Sequence, residues 1–293
     1  MTIKLGIAPI NWTNDDDPAL GGDISFAQCI QEMSVAGYVG TELGNRYPRD
    51  PQVLSTALSD QGLQLASAWF STFFTEPGGH DKTLSAFLDH LSFMRAMGAK
   101  YINICECGHA IQGKSVPAFG LDKPVFTDSQ WQQLIQGLHS LGRIAHEFNI
   151  RLVYHYHVGT GVFSLSEIDC LMQHTSPALL SLLLDTGHAA VADINPLDLI
   201  ERYGERIAYV HLKDIRMAVF KAMQADQLCF MDGVRMGLFT VPGDGYLDFP
   251  EIIDALRDQN YQGWMIVEAE QDPAQANPLH YAQMARNYLR AFI

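Results

Sequence analysis

LSLLLDTGH (180–188), DINPLDLIERY (193–203) and IAYVHLKD (207–214) read in succession as strand, helix and strand. Short apolar runs end in polar residues, and Pro196–Tyr203 between them reads as a helical run. The same rhythm extends in both directions. Strands are expected over Ile3–Ile10, Tyr38–Leu43, Leu63–Phe70, Tyr101–Cys105, Arg151–His157, Leu180–Asp185, Ile207–Leu212 and Trp264–Ala269. Between the first two, Phe26, Cys29, Ile30 and Met33 recur on one helical face, with Ser25 placed to cap the start and Gly37 the end. Further helices are expected over Val53–Gln61, Leu84–Met97, Ser129–Phe148, Ser166–Gln173, Pro196–Tyr203, Pro250–Gln259 and Leu279–Phe292. Strand and helix alternate eight times, which predicts an α/β fold: one (β/α)8 TIM barrel spanning residues 1–293 as a single domain.

Nothing in the composition disturbs that reading. A length of 293 residues suits one barrel of about 250 residues with insertions. Hydrophobic residues make up 47% and charged residues 18%, too apolar for disorder, and no run is long enough to span a membrane. A net charge of −14 disfavours nucleic acid and anionic lipid as partners. The start, MTIKLGIAPI, lacks a signal peptide's apolar core, so a cytoplasmic location is expected. Five scattered cysteines without CxxC spacing indicate neither a disulfide framework nor a structural zinc site. The two long gaps, 106–128 and 213–245, both begin at C-terminal strand ends and are candidate lids. Residues 241–249 (VPGDGYLDF) lack a phosphate-cradling glycine pattern and read as a tight turn before a helix.

Chemistry in such a barrel belongs at the C-terminal ends of the strands. There the sequence places Asn11 and Trp12, Glu42 and Asn45, Glu106, then His155 and His157, Asp185 and His188, His211, Lys213 and Asp214, and Glu268 and Glu270. Taken singly, a strand-end Asp or His is most often a cap or a structural hydrogen-bonding group, and Trp12 could simply cover the barrel top. Together, His155, Asp185, His211 and Glu268 converge on the axis from four consecutive strands. Nitrogen and carboxylate oxygen suit Mn²⁺, Co²⁺, Fe²⁺ or Zn²⁺ better than Ca²⁺ or Mg²⁺.

These segments resemble the xylose-isomerase-like barrel superfamily: LLLDTGH (182–188), VHLKD (210–214), GDGYLDFPEIIDAL (243–256) and WMIVEAE (264–270). More narrowly, GIAPINWTNDD (6–16), residues 20–51, YHYHVGTGV (154–162) and VEAEQDPAQANP (267–278) resemble the inosose dehydratase family. The superfamily's metal set of Glu, Asp, His and Glu maps onto His155, Asp185, His211 and Glu268, with a histidine in place of the first glutamate. That replacement removes one of two acid–base carboxylates and argues against two-base epimerisation. The resemblance implies a small polyol ketone substrate, dehydrated with a divalent ion, Mn²⁺ or Co²⁺, as cofactor. Glu268 is expected as base, His157 as acid and Lys213 as the stabiliser of enolate charge, with the first two roles exchangeable. Asn11, Trp12, Glu42, Asn45, His188 and Asp214 are expected to bind substrate. A sugar isomerase or epimerase is the alternative activity, and a non-catalytic sugar-binding barrel the second. A thiol-reductant requirement and homo-oligomer formation are left open.

Overall fold

The computed structural model describes residues 3–293. Parallel strands β1 (Ile3–Ile7), β2 (Gly40–Glu42), β3 (Gln64–Ser67), β4 (Trp69–Thr72), β5 (Tyr101–Glu106), β6 (Arg151–His155), β7 (Ser181–Asp185), β8 (Ile207–Leu212) and β11 (Gly263–Val267) form one sheet ordered β3-β2-β1-β11-β8-β7-β6-β5-β4. β3 and β4 are two halves of one stave, interrupted at Ala68, whose carbonyl accepts the Asn103 N–H at 2.9 Å. That stave pairs with β2 through its first half and with β5 through its second, so eight staves close into a barrel. The remaining strands, β9 (Asp214–Ile215) and β10 (Phe239–Thr240), form a separate antiparallel ribbon.

Helices α1 (Phe26–Val35), α2 (Pro51–Asp60), α3 (Gly79–Ala96), α4 (Asp128–Glu147), α5 (Leu165–His174), α7 (Pro196–Tyr203), α10 (Phe249–Asp258) and α11 (Pro278–Leu289) correspond to the eight expected helices. Their starts are chemically marked. Ser25 accepts the Gln28 N–H, Thr127 and Gln130 form a capping box, and Asn195 and Asp248 cap helices with proline in the first turn. Three short helices lie outside those eight: α6 (Thr186–Val191), directly after β7, and α8 (Met217–Asp226) and α9 (Phe230–Arg235) in the second long gap. The first strand also ends earlier than expected, because Pro9–Asn11 turns into a 3₁₀ helix. Among the described residues, no helix is long and apolar enough to cross a membrane.

Two apolar layers separate by strand alternation. Leu152, Tyr154, Leu182, Leu184, Val210, Leu212, Met265 and Val267 pack outward with the helices in the main core. Val153, Leu183, Tyr209, Trp264 and Ile266 form a distinct cluster inside the barrel. A third cluster joins α8, α9 and the ribbon through Phe220, Met223, Phe230, Val234 and Phe239.

Candidate active site

Steps of two residues carry each inward face up the barrel axis. Above the apolar plug of Val153, Leu183, Tyr209 and Ile266 stand His155, Asp185, His211 and Glu268; above those, just past the strand ends, stand His157, Lys213 and Glu270. The middle layer brings one donor atom from each of its four residues within 4.8 Å of all the others, and every member is buried.

The hydrogens in that layer are assigned by its surroundings. His155 Nδ1 lies 2.7 Å from the Tyr156 carbonyl and donates to it, which turns Nε2 to the centre, 3.2 Å from Asp185 Oδ2. Asp185 Oδ1 accepts the His188 N–H at 2.8 Å, capping α6 and leaving Oδ2 for the centre. His211 Nε2 lies 3.1 Å from Glu42 Oε1, an oxygen that also accepts from Asn103 Nδ2 at 2.7 Å. His211 Nδ1 then faces Glu268 Oε2 at 3.0 Å and Asp185 Oδ2 at 3.5 Å. Among the described residues neither His211 Nδ1 nor Asp185 Oδ2 makes a hydrogen bond. Two carboxylates and two imidazoles converging in a buried space are costly unless positive charge, a proton or a metal ion, stands between them, so these four residues fit a divalent metal ion. Burial alone would lower the His211 pKa, yet Glu268 and Glu42 raise it well above the ordinary histidine value. The carboxylates that hold a proton there would equally draw a metal.

Lys213 is fully buried, with Nζ 2.6 Å from Glu268 Oε1, 2.9 Å from Glu270 Oε1 and 3.1 Å from His188 Nε2. Burial would strip its proton, but Asp185, Glu268 and Glu270 outweigh that and keep it an ammonium. Its place depends on the DTGH segment. Thr186 Oγ1 donates to the Lys213 carbonyl at 2.6 Å and accepts its N–H at 3.0 Å, while a Cβ on Gly187 would meet Lys213 Cγ at 2.6 Å. Only glycine lets the lysine stem pass.

His157 differs from its expected resting state. Its Nδ1 donates to the Val158 carbonyl at 2.8 Å, and burial, helped by His155 and Lys213, lowers its pKa to about 3. The ring is therefore a neutral acceptor at Nε2 rather than a stored proton. Burial, with Lys213 opposing and Glu268 adding, pushes Glu270 up to about 7.

A cavity of about 300 Å³ opens above these layers, lined by Glu42, His155, His157, His211, Glu268 and Glu270. Asp185, Lys213 and His188 stand in contact behind them. Four expected substrate-binding residues are placed elsewhere. Trp12 is fully buried with Nε1 donating to Glu32 of α1 at 2.6 Å, so it packs the wall rather than the cavity. Asn11 ties the first loop to the last strand by accepting the Ala269 N–H at 3.0 Å. Asn45 has an exposed side chain outside the lining. Asp214 Oδ1 accepts the N–H groups of Ile215, Tyr246 and Leu247 at 2.8, 2.9 and 3.0 Å, clamping the expected turn at 241–249. The aromatic wall is Trp69, whose ring meets His155 and His157 edge-on at 5.5 and 6.1 Å. Sequence reading missed Trp69 because it sits mid-stave, past the break at Ala68. It also passed over Asp15 and Asp16 at the rim, although that acidic run lies in the loop that follows the first strand.

The chain is 49% identical to an inosose dehydratase of Clostridium tetani across 98% of this chain and 96% of that one. Inosose dehydratases of Lacticaseibacillus casei and Bacillus anthracis are 50% and 51% identical across 99% of this chain and 97% of each. The chain belongs to the inosose dehydratase family. Residues 30–292 match the xylose isomerase-like TIM barrel family, which agrees with the observed barrel. Among solved structures, a probable 3-DHS dehydratase of Bacillus anthracis superposes with a TM-score of 0.72 at 16% identity over 98% of both chains. A D-allulose 3-epimerase of Methylomonas sp. gives 0.70 at 16% identity over 99% of this chain and 97% of that one. At such identities these two share the fold alone. An inosose dehydratase is a hydro-lyase, so the chemistry asked of the layers above the barrel plug is the loss of water.

Proposed function

We propose that this protein removes water from 2-keto-myo-inositol, giving a trihydroxycyclohexane-1,2-dione, as a cytoplasmic step of myo-inositol catabolism. The observation carrying the metal dependence is the convergence of Asp185 Oδ2 and His211 Nδ1, buried and unbonded, with His155 and Glu268 beside them. Those four residues would hold one Mn²⁺ or Co²⁺, which when bound supplies Lewis acidity toward the substrate ketone.

The rest falls to the chain's own side chains. Of the two exchangeable roles, the geometry supports His157 as base: its Nδ1 hydrogen is committed to Val158, so Nε2 can take the proton from the carbon beside the ketone. Glu268 is less free to take it, since its Oε1 lies 2.6 Å from the Lys213 ammonium and its Oε2 3.0 Å from His211 Nδ1. Elimination expels the hydroxyl one carbon further, and Glu270, a cavity-lining carboxyl, stands to protonate it. Lys213, locked against Glu268 and Glu270, holds positive charge beside the developing enolate. Glu42 and the rim carboxylates Asp15 and Asp16 offer acceptors to the hydroxyls of an uncharged polyol, with Trp69 as its apolar face.

Metal-stripped protein refilled with one ion at a time should form the dione chromophore from 2-keto-myo-inositol only when Mn²⁺, Co²⁺ or a similar ion is restored. Interconversion of inosose stereoisomers without dione would replace this reading with an isomerase.

A further inference from the structure

One layer above the proposed metal ligands, His157, His188 and Glu270 bring a donor atom each within 4.8 Å of one another, and all three are buried. Two imidazole nitrogens and a carboxylate oxygen repeat the mixed donor chemistry of the layer below. Left facing one another, such atoms need a cation as much as the lower set does. The cation present is the Lys213 ammonium, 3.1 Å from His188 Nε2 and 2.9 Å from Glu270 Oε1. The protein delivers it there deliberately: Gly187 leaves room for the stem, Thr186 grips the lysine backbone on both sides, and the Phe239 ring covers Nζ at 4.6 Å.

We propose that His157, His188 and Glu270 constitute a second divalent-metal site whose place is taken by the tethered ammonium of Lys213, so that the lysine confines the protein to one ion. An ammonium donates a hydrogen bond to Glu270, stands 3.1 Å from His188 Nε2 and has no open coordination position. A divalent ion in its place would also draw in His157 Nε2, whose other nitrogen is already fixed by Val158. The lysine thus leaves that lone pair free for substrate; this last consequence rests on the base role argued above, whereas the site itself does not.

The test is an ion count. Protein stripped of metal and dialysed against excess Co²⁺ should hold one ion per chain as wild type and two as Lys213→Met or Lys213→Gln, with new visible cobalt bands. Adding His188→Ala to Lys213→Met should return the count to one. Wild type holding two ions, a lysine variant showing no gain of one, or a second ion indifferent to His188→Ala overturns the proposal. Both lysine variants are produced with Co²⁺ present throughout, since an ion in the vacated place would compensate the buried carboxylate; failure of both to yield folded protein also counts against it. Dione formation is assayed separately on the wild type. One bound ion without dehydration defeats the reaction proposed above and leaves the ion count standing, while a lysine variant without its extra ion has no bearing on the reaction.

Discussion

At the scale of single residues, the position of one hydrogen decides most roles. Because the His157 Nδ1 hydrogen is spent on Val158, His157→Ala should slow dione formation by about 10²–10⁴-fold, the usual worth of general acid–base catalysis, while the metal content stays unchanged. Loss of metal together with activity would make it a ligand instead. His211 carries the opposite lesson. Its pKa is raised, so without metal it is protonated at neutral pH, and a metal ligating Nδ1 must displace that proton. Metal affinity should therefore climb as pH rises toward and through that raised pKa, and adding Mn²⁺ to weakly buffered protein should acidify the solution. Binding that is independent of pH, with no proton release, would contradict the ligand role. Much of this was readable in advance: alternation puts His155 and His157 on one face of their strand, and the strand ends themselves supply His211 and Lys213, Glu268 and Glu270. Trp12, Asn11, Asn45 and Asp214 were not separable from them, because a strand-end polar residue that clamps a loop has the same spacing as one that meets a ligand.

At the scale of elements, the eight alternating units were legible because each amphipathic helix carries its own cap, as Ser25, Thr127, Asn195 and Asp248 show. The cap over the site was legible as a place, a candidate lid after the seventh strand, but not as a structure. Residues 213–245 have methionines and phenylalanines without a sustained period, and two short helices with a two-stranded ribbon leave little pattern behind. Their apolar cluster is separate from the main core, yet it reaches the chemistry: Phe230 meets the His157 ring at 5.5 Å and Phe239 the His188 ring at 5.0 Å. A unit with its own small core should open before the barrel does. Hydrogen exchange across residues 215–240 should thus be faster than across β6 to β8, and slower once polyol is bound. Phe230→Ala should lower the opening free energy of that segment by about 3 kcal/mol, the low end for truncating a buried phenylalanine. Equal protection in cap and barrel, unmoved by ligand, would show a cap that never opens on its own.

For the whole molecule, the acidic balance seen in the composition gathers at the cavity, where Asp15, Asp16, Glu42, Glu268 and Glu270 all border the space. Buried negative charge of that kind burdens the metal-free fold, so an ion binding only the native state should stabilise it by about 2.7 kcal/mol at a hundredfold excess over Kd. Thermal unfolding with and without Mn²⁺ checks this, and an unmoved midpoint would exclude a native metal site. The barrel's closure has a further implication. β1 pairs along its whole length with β11, from Ile3 with Gly263 to Ile7 with Val267, so the first stave made has to wait for the last. Contacts so distant along the chain form slowly, and Glu268 and Glu270 arrive with that final stave. On the ribosome, a nascent barrel would carry its histidines and Asp185 long before the carboxylates that complete the layers, and capture of the ion would mark the moment at which the ring shuts.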